Sequence, residues 1–412
     1  MGESVLSAVA AAVGTPVYLY DAETIRHRWQ ALANALRDVP HHVHYSVKAN
    51  STLGILRLLR DLGAGADIVS GGELMRARCA GFEAADIVFS GVGKGRDEIE
   101  RAVEAGIGLI NLESFGELEL VADVAAAHDR TAQVGIRVNP DVTAETHPYT
   151  QTGGAGMKFG VPLDRVRDLA QRIEQAPNVR LTCVGMHIGS QVGSAESYRA
   201  GCERLAGLVH QLREDGIASI AAVDIGGGMA IPYAEGPTFD WSAFARHAAA
   251  LHQSTGLPLL LEPGRSLVGA AGVLLTRVRF QKHSGGKEFL IVDAGMNDLI
   301  RPSYYQAHHR IEVVEPGDET HAGAFDVVGP ICETGDFLGR DRDLPGAGPG
   351  ALLAVRDVGA YGFSMSSTYN SRPRPAEVLV DGGRWGVVRR RETLDDLIRG
   401  ETADPAWQSV PE

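Results

Sequence analysis

Cysteine is scarce in this chain, with four residues in 412, and the four stand far apart. Cys79, Cys183, Cys202 and Cys332 show no Cys-x-x-Cys spacing, which argues against a structural zinc site and makes a reducing, cytoplasmic setting the expectation. Basic blocks are missing too. Asp and Glu outnumber Lys and Arg by 52 to 39, the net charge is −13, and no Lys/Arg-rich run reverses this locally, so no nucleic-acid partner is expected. The apolar stretch Val5 to Val13 is far shorter than a membrane span and has no basic flank, so it reads as a short helix without export or membrane insertion. No internal repeat or low-complexity linker interrupts the chain. With 44% hydrophobic and 22% charged residues it has the composition of a globular enzyme, too long for one ordinary core. Two domains, or a large barrel with an appendage, are expected.

Pro16 to Asp21 alternates like a strand, and Ile25, Trp29, Leu32, Ala33 and Leu36 mark one face of a helix over Ala22 to Leu36. From residue 43 the rhythm becomes short apolar runs alternating with helical segments, such as Lys94 to Ile107. The runs are Val43 to Val47, Ala66 to Val69, Asp86 to Ser90, Gly108 to Leu112, Gln133 to Val138, Leu181 to His187, Ala221 to Ile225 and Leu257 to Leu261. Eight strands in βα alternation predict an α/β fold with a closed (β/α)8 TIM-like barrel over residues 25–270. Beyond Arg265 the runs lengthen: Val273 to Phe280, Phe289 to Asp293, Ile311 to Glu315, Phe325 to Val328, Leu352 to Arg356, and Val378 to Val388 with an Asp381-Gly382-Gly383 turn. They predict a C-terminal antiparallel β domain, residues 271–412, joined by the N-terminal strand of residues 1–24.

Catalytic groups of such barrels sit at the C-terminal ends of the strands. Here those ends carry Lys48, Asp67, Ser90 with Gly91, Glu113, Arg137 with Asn139, His187 with Ser190, Gly226 to Gly228, and Glu262 with Arg265. Each has a plain alternative: a solvated lysine, a hydrogen-bonded core histidine, a flexible glycine turn, a Glu262 paired to Arg265. Together they form a set that a cofactor with an aldehyde, a phosphate and a ring nitrogen would use in full. Lys48 would form a Schiff base, Gly226, Gly227 and Gly228 would cradle the phosphate at a helix start, and Glu262 would hold the ring nitrogen protonated. Cys332 by itself reads as a buried, inert thiol, as do Cys79, Cys183 and Cys202. His41, His42 and His44 cannot converge on one metal ion from a single strand, so no metal site is expected. The loop Thr152 to Gly160 is either a mobile lid or a surface loop.

The series Tyr45-Ser46-Val47-Lys48-Ala49-Asn50, Gly63 to Leu74, Phe89 to Lys94, His187-Ile188-Gly189-Ser190-Gln191, Asp224-Ile225-Gly226-Gly227-Gly228, Glu262-Pro263-Gly264-Arg265, Gly329-Pro330-Ile331-Cys332-Glu333 and Gly359-Ala360-Tyr361 resembles the pyridoxal-phosphate-dependent decarboxylases of fold type III. Within that family it is most similar to the branch acting on diaminopimelate, in order from about Pro16 to Leu397.

The resemblance implies pyridoxal 5'-phosphate as cofactor. Lys48 would carry the imine and His187 would stack on the ring. Asp67 would lie beside the cofactor, and Glu262 would pair with its ring nitrogen. Ser190, Gly227, the Glu262-to-Arg265 turn with Gly264, and Tyr369 would hold the phosphate. It further implies a head-to-tail homodimer whose Cys332 and Glu333 enter the neighbour's site, Cys332 as proton donor and Glu333 on the substrate's distal ammonium. Arg265, Arg301 and Tyr305 would grip a distal carboxylate, with Tyr369 also at the substrate. The activity implied is decarboxylation of meso-2,6-diaminopimelate to L-lysine and CO2, the last step of lysine biosynthesis. Ser303, Tyr304, Gln306 to His309 and Thr334 depart from the family pattern. The alternatives are therefore a related decarboxylase of another amino acid in a specialised pathway, or a non-catalytic binder of the cofactor; a racemase of the same fold is disfavoured.

Overall fold

The structure, a computed structural model, describes every residue except 143–148, 150–151, 155, 234–237, 319–323 and 410–412. The strands are β1 (Val17–Asp21), β2 (His41–Ser46), β3 (Gly65–Ile68), β4 (Ile87–Phe89), β5 (Leu109–Leu112), β6 (Ala132–Asn139), β7 (Val161–Pro162), β8 (Val179–Met186), β9 (Ala222–Asp224), β10 (Leu259–Leu261), β11 (Gly272–Ser284), β12 (Lys287–Val292), β13 (Ile311–Glu315), β14 (Ala324–Val328), β15 (Phe337–Asp343), β16 (Leu352–Arg356), β17 (Ala376–Asp381) and β18 (Arg384–Arg389).

The barrel follows from short strands that are apolar on both faces. Residues of β3, β4 and β5 are buried throughout, as parallel strands must be when helices cover them. The strands run in the order β5-β4-β3-β2-β10-β9-β8-β6, and the β5–β6 pairing closes the ring of eight, with β7 a two-residue addition to β6. The helices between them start and stop on local signals. The hydroxyls of Ser70 and Ser114 cap the N-termini of Gly71–Ala80 and Phe115–Ala127, and left-handed Gly81 and Gly106 end Gly71–Ala80 and Arg96–Ala105. Ile55, Leu56 and Leu59 line the buried face of Leu53–Asp61.

Chain closure is what places the chemistry. β2 and β10 are the first and last barrel strands and lie side by side, Leu261 opposite Val43, while β3 flanks β2 on its other edge, with Asp67 opposite Ser46. The turns after β2 and β10 therefore touch: Ser46 N–H donates to the Pro263 carbonyl at 3.1 Å. A Cβ on Gly264 would come within 2.9 Å of Ala49 Cβ and 3.0 Å of Ser46 Cβ, so this contact leaves no room for a larger residue.

The β domain is a mixed sheet, β15-β14-β12-β11-β1-β17-β18, with β16 also paired to β11 and β13 to β16. The expectation of a purely antiparallel sheet is corrected at two places. β1 sits centrally, antiparallel to β11 but parallel to β17, and β12 is parallel to β14. Buried bonds stitch the domain to the barrel beside Lys48. Tyr361 N–H reaches the Ala49 carbonyl at 2.8 Å, Asn50 Nδ2 the Gly359 carbonyl at 3.0 Å, and Glu377 Oε1 accepts both Tyr20 Oη and Thr52 Oγ1 at 2.7 Å. No helix among the described residues is long and apolar enough to cross a membrane.

Candidate active site

The barrel mouth opens into a cavity of about 790 Å³ lined by Lys48, Ser90, Arg137, Thr152, Phe159, His187, Ser190, Tyr233, Glu262, Arg265, Arg301, Tyr305 and Tyr361, among others. Lys48 lies in the one-turn 3₁₀ helix Val47–Ala49 that ends β2. Its Nζ donates to Asp67 Oδ2 at 2.7 Å, and a third of the side chain stays open to the cavity. Burial opposes the charge on this amine, but the Asp67 carboxylate outweighs that and holds the amine above its ordinary range, protonated. Asp67 is fully buried, and its Oδ1 has no hydrogen-bond partner among the described residues.

Glu262 forms the floor. It is buried at the end of β10 and accepts Ser90 Oγ at 2.9 Å rather than pairing with Arg265. Burial raises its carboxyl well above the carboxylate range, and Asp224 and Asp67 reinforce this. Asp224, held by the Gly226 N–H at 2.7 Å, is pushed up to about 6 by its own burial. His187 is neutral, because burial and the Arg137 and Lys48 cations lower its pKa. Its Nδ1 accepts the Gly227 N–H at 3.2 Å, which puts the ring hydrogen on Nε2.

Two of the three N–H groups of the glycine triplet are already engaged within the chain: those of Gly226 and Gly227 donate to Asp224 and His187. A Cβ would lie 1.9 Å from the Glu262 carbonyl oxygen at Gly227 and 1.9 Å from the Gly189 carbonyl oxygen at Gly228. These positions are glycine so that the ends of β8, β9 and β10 can meet. The positive anchor is Arg265, whose Nη2 donates to Ser190 Oγ at 2.9 Å and whose guanidinium lies 4.7 Å from the Tyr361 ring centre. Arg265 Nε is buried with no partner among the described residues.

Three expected site residues do not reach this cavity within one chain. Cys332 and Glu333 lie exposed in the loop before β15, and Tyr369 is there rather than at the anion anchor: its hydroxyl meets Glu333 Oε1, while Cys332 N–H meets Asn370 Oδ1 at 3.2 Å. The tyrosine of this segment that lines the cavity is Tyr361, eight positions earlier in a motif already singled out. Cys332 and Cys79 are exposed, against the expectation of inert buried thiols, whereas Cys183 and Cys202 are buried. Ser46, Ser90, Arg137 and Tyr233 belong to the site neighbourhood but were not assigned to it. Ser90 and Arg137 were at least legible as strand ends, while Tyr233 gave no signal. The Thr152–Gly160 loop, of which residue 155 lies outside the described residues, is tied down by Thr152 Oγ1 to the His187 carbonyl at 2.7 Å.

A carbonyl-reactive amine, a buried acid, a flat neutral imidazole and an anion anchor fit pyridoxal phosphate, and the partnerless Asp67 Oδ1 and Arg265 Nε mark the groups such a guest would meet. Residues 22–269 match the family described as pyridoxal-dependent decarboxylase, pyridoxal binding domain. Diaminopimelate decarboxylase of Pseudomonas aeruginosa is 49% identical over 97% of this chain and 96% of its own length, and that of Vibrio cholerae 44% over 97% and 95%. The crystal structure of Helicobacter pylori diaminopimelate decarboxylase complexed with L-lysine superposes with a TM-score of 0.92 at 38% identity, covering 96% of this chain and 98% of that one. With the barrel, its mouth and these likenesses in agreement, the chain belongs to the diaminopimelate decarboxylase family of pyridoxal-dependent decarboxylases.

Proposed function

We propose that the protein decarboxylates meso-2,6-diaminopimelate to L-lysine and CO2. The carrying observation is that Lys48, Glu262 with Arg265, and Arg301, from three separate segments, line one cavity. Pyridoxal phosphate, when bound, supplies an aldehyde that condenses with primary amines and a conjugated ring that accepts the electron pair left by departing CO2. Lys48 is the amine, and Asp67 is placed to take the proton it must lose before attacking a carbonyl carbon. Glu262, kept protonated by burial and by Asp224, holds a proton at the ring nitrogen so that the ring stays electron-poor. His187 covers the ring with a neutral face. Ser190 and Arg265 hold the phosphate, and Gly226, Gly227, Gly228 and Gly264 act by letting the strand ends close around it.

Arg301 and Tyr305 grip the distal carboxylate, the feature that sets a dicarboxylic amino acid apart from ornithine or arginine. Cys332 returns a proton to the α-carbon, Glu333 meets the distal ammonium, and Tyr369 stands beside Glu333. Because these three are exposed and outside the cavity of their own chain, we assign them to the site of a neighbouring copy in a head-to-tail homodimer, with the β domain carrying the contacts. The four thiols are free, which suits a reducing cytoplasm. The test is CO2 release by the pyridoxal-phosphate-loaded protein from a panel of meso-diaminopimelate, lysine, ornithine and arginine. Release from meso-diaminopimelate alone is expected, and preference for a monocarboxylic substrate would overturn the assignment.

A further inference from the structure

Arg301 opens the short helix Arg301–Tyr305 and points into the cavity, yet no carboxylate holds it: none of the salt bridges among the described residues includes it. What fixes it is a histidine. Arg301 Nη1 donates to His309 Nε2 at 2.9 Å in the interior, and His309 Nδ1 donates to the Arg356 carbonyl at 2.8 Å, partly buried. The second bond sets the tautomer: with its hydrogen on Nδ1, the ring presents a lone pair at Nε2. Tyr233 completes the clamp, with the Arg301 guanidinium 4.5 Å from its ring centre and the His309 ring edge-on at 5.1 Å. His309 has no exposed surface and Arg301 is 5% exposed. Arg301 Nε is buried with no partner among the described residues, a donor left over for a ligand.

We propose that His309 is a positioning residue for substrate selection: by accepting one N–H of Arg301 it holds the guanidinium rigid and fully charged, so that the remaining donors face the distal carboxylate. This rests on the assignment of Arg301 to that carboxylate. A neutral acceptor suits the task better than Asp or Glu would. A carboxylate at this place would pair with the guanidinium and compete with the incoming substrate group, whereas imidazole orients it and leaves its charge unspent. Burial, with the Arg301 charge beside it, pushes the His309 pKa down to about 3, so the ring stays an acceptor at any ordinary working pH. The same logic repeats one residue earlier, where His308 Nε2 faces Arg342 Nη1 while His308 Nδ1 meets the Tyr233 carbonyl at 3.1 Å.

L-Lysine keeps the carboxylate that the reaction spares, and 1,5-diaminopentane lacks it, so the two compounds isolate the contact. In the pyridoxal-phosphate-loaded protein, competitive inhibition by both is measured for wild type, H309F and H309Q. H309F, which keeps a ring against Tyr233 but no acceptor, should weaken L-lysine by about tenfold, the size of one hydrogen bond to a charged group, and leave 1,5-diaminopentane unchanged. H309Q, whose amide oxygen restores an acceptor near the Nε2 position, should recover most of the loss. Equal weakening of both compounds, no weakening of either, or a glutamine variant as poor as phenylalanine would overturn the positioning role. A wild-type protein that itself fails to favour L-lysine over 1,5-diaminopentane would instead sink the assignment of Arg301, and the role of His309 with it.

Discussion

The cavity floor and the Cys332–Glu333 loop carry the two halves of one proposed reaction, yet they are built in opposite ways. Lys48, Asp67, Ser90 and Glu262 sit at the ends of adjacent barrel strands, the last three buried and Lys48 partly so, each held by another member of the group. Cys332 and Glu333 sit exposed on a loop of the β domain, bonded to Tyr369 and Asn370 on their own surface. The difference teaches that strand adjacency can preassemble amines, acids and anion anchors within a single chain. In the proposed function, the proton donor that must approach the substrate from the open side is the part left to a second chain.

The largest effect should come from cutting each half. Lys48→Ala should abolish turnover and the reducible covalent attachment of pyridoxal phosphate, while Cys332→Ala should lower kcat by about 10²–10⁴, the range for loss of a positioned acid. Mixing the two inactive proteins should restore part of the activity, because one of the two shared sites in a hybrid dimer keeps both groups. If activity stays absent after subunit exchange is verified by mass, both groups act in one chain and the comparison drawn above fails.

Next in size is Arg301→Ala, which sharpens the division between chemistry and recognition. It should raise KM for the dicarboxylic substrate by the equivalent of about 1.5–3 kcal/mol with a smaller change in kcat, measured by steady-state CO2 release. An unchanged KM would leave the distal carboxylate without its guanidinium.

The smallest effect concerns the buried floor alone. Asp224 has its pKa raised to about 6 by burial, so it binds a proton more tightly folded than unfolded. Its contribution to stability is then fully present below about pH 4 and is lost as pH rises through about 6. The unloaded Asp224→Asn protein, which keeps an acceptor for the Gly226 N–H, should show a flatter dependence of its denaturation midpoint between pH 4 and 7. An identical slope in both proteins would show that the floor carries no such coupled acid pair.

All eight barrel strands are legible as short, mostly apolar runs because most of their positions are buried on both faces, and the glycine or polar turn after each run marks where it stops. β15 is not legible: Phe337-Leu338-Gly339-Arg340-Asp341-Arg342-Asp343 is mostly polar, and it becomes a strand through its pairing with β14. Tyr233 and His309 were missed for a related reason. Neither ends a strand, and their importance comes from ring contacts and hydrogen bonds to Arg265 and Arg301, residues eight or more positions away in sequence. Tyr369 is placed at the phosphate by the resemblance alone, whereas the bond from Tyr361 N–H to the Ala49 carbonyl brings the earlier tyrosine to the Lys48 turn.

By itself the sequence determined the repeating βα unit, the closed barrel and the reactive residue at nearly every strand end, since hydrophobic period and turn chemistry are local properties. Only the tertiary structure decided that Glu262 lies beside the Lys48 turn, with Ser46 and Glu262, 216 residues apart, joined by a 2.8 Å bond. It alone showed that Arg301 is steadied by a neutral histidine and that Cys332 lies exposed, outside the lining of its own chain's cavity. Those facts depend on how a ring of strands closes and how a second domain docks on its rim, and no stretch of chain carries that information alone.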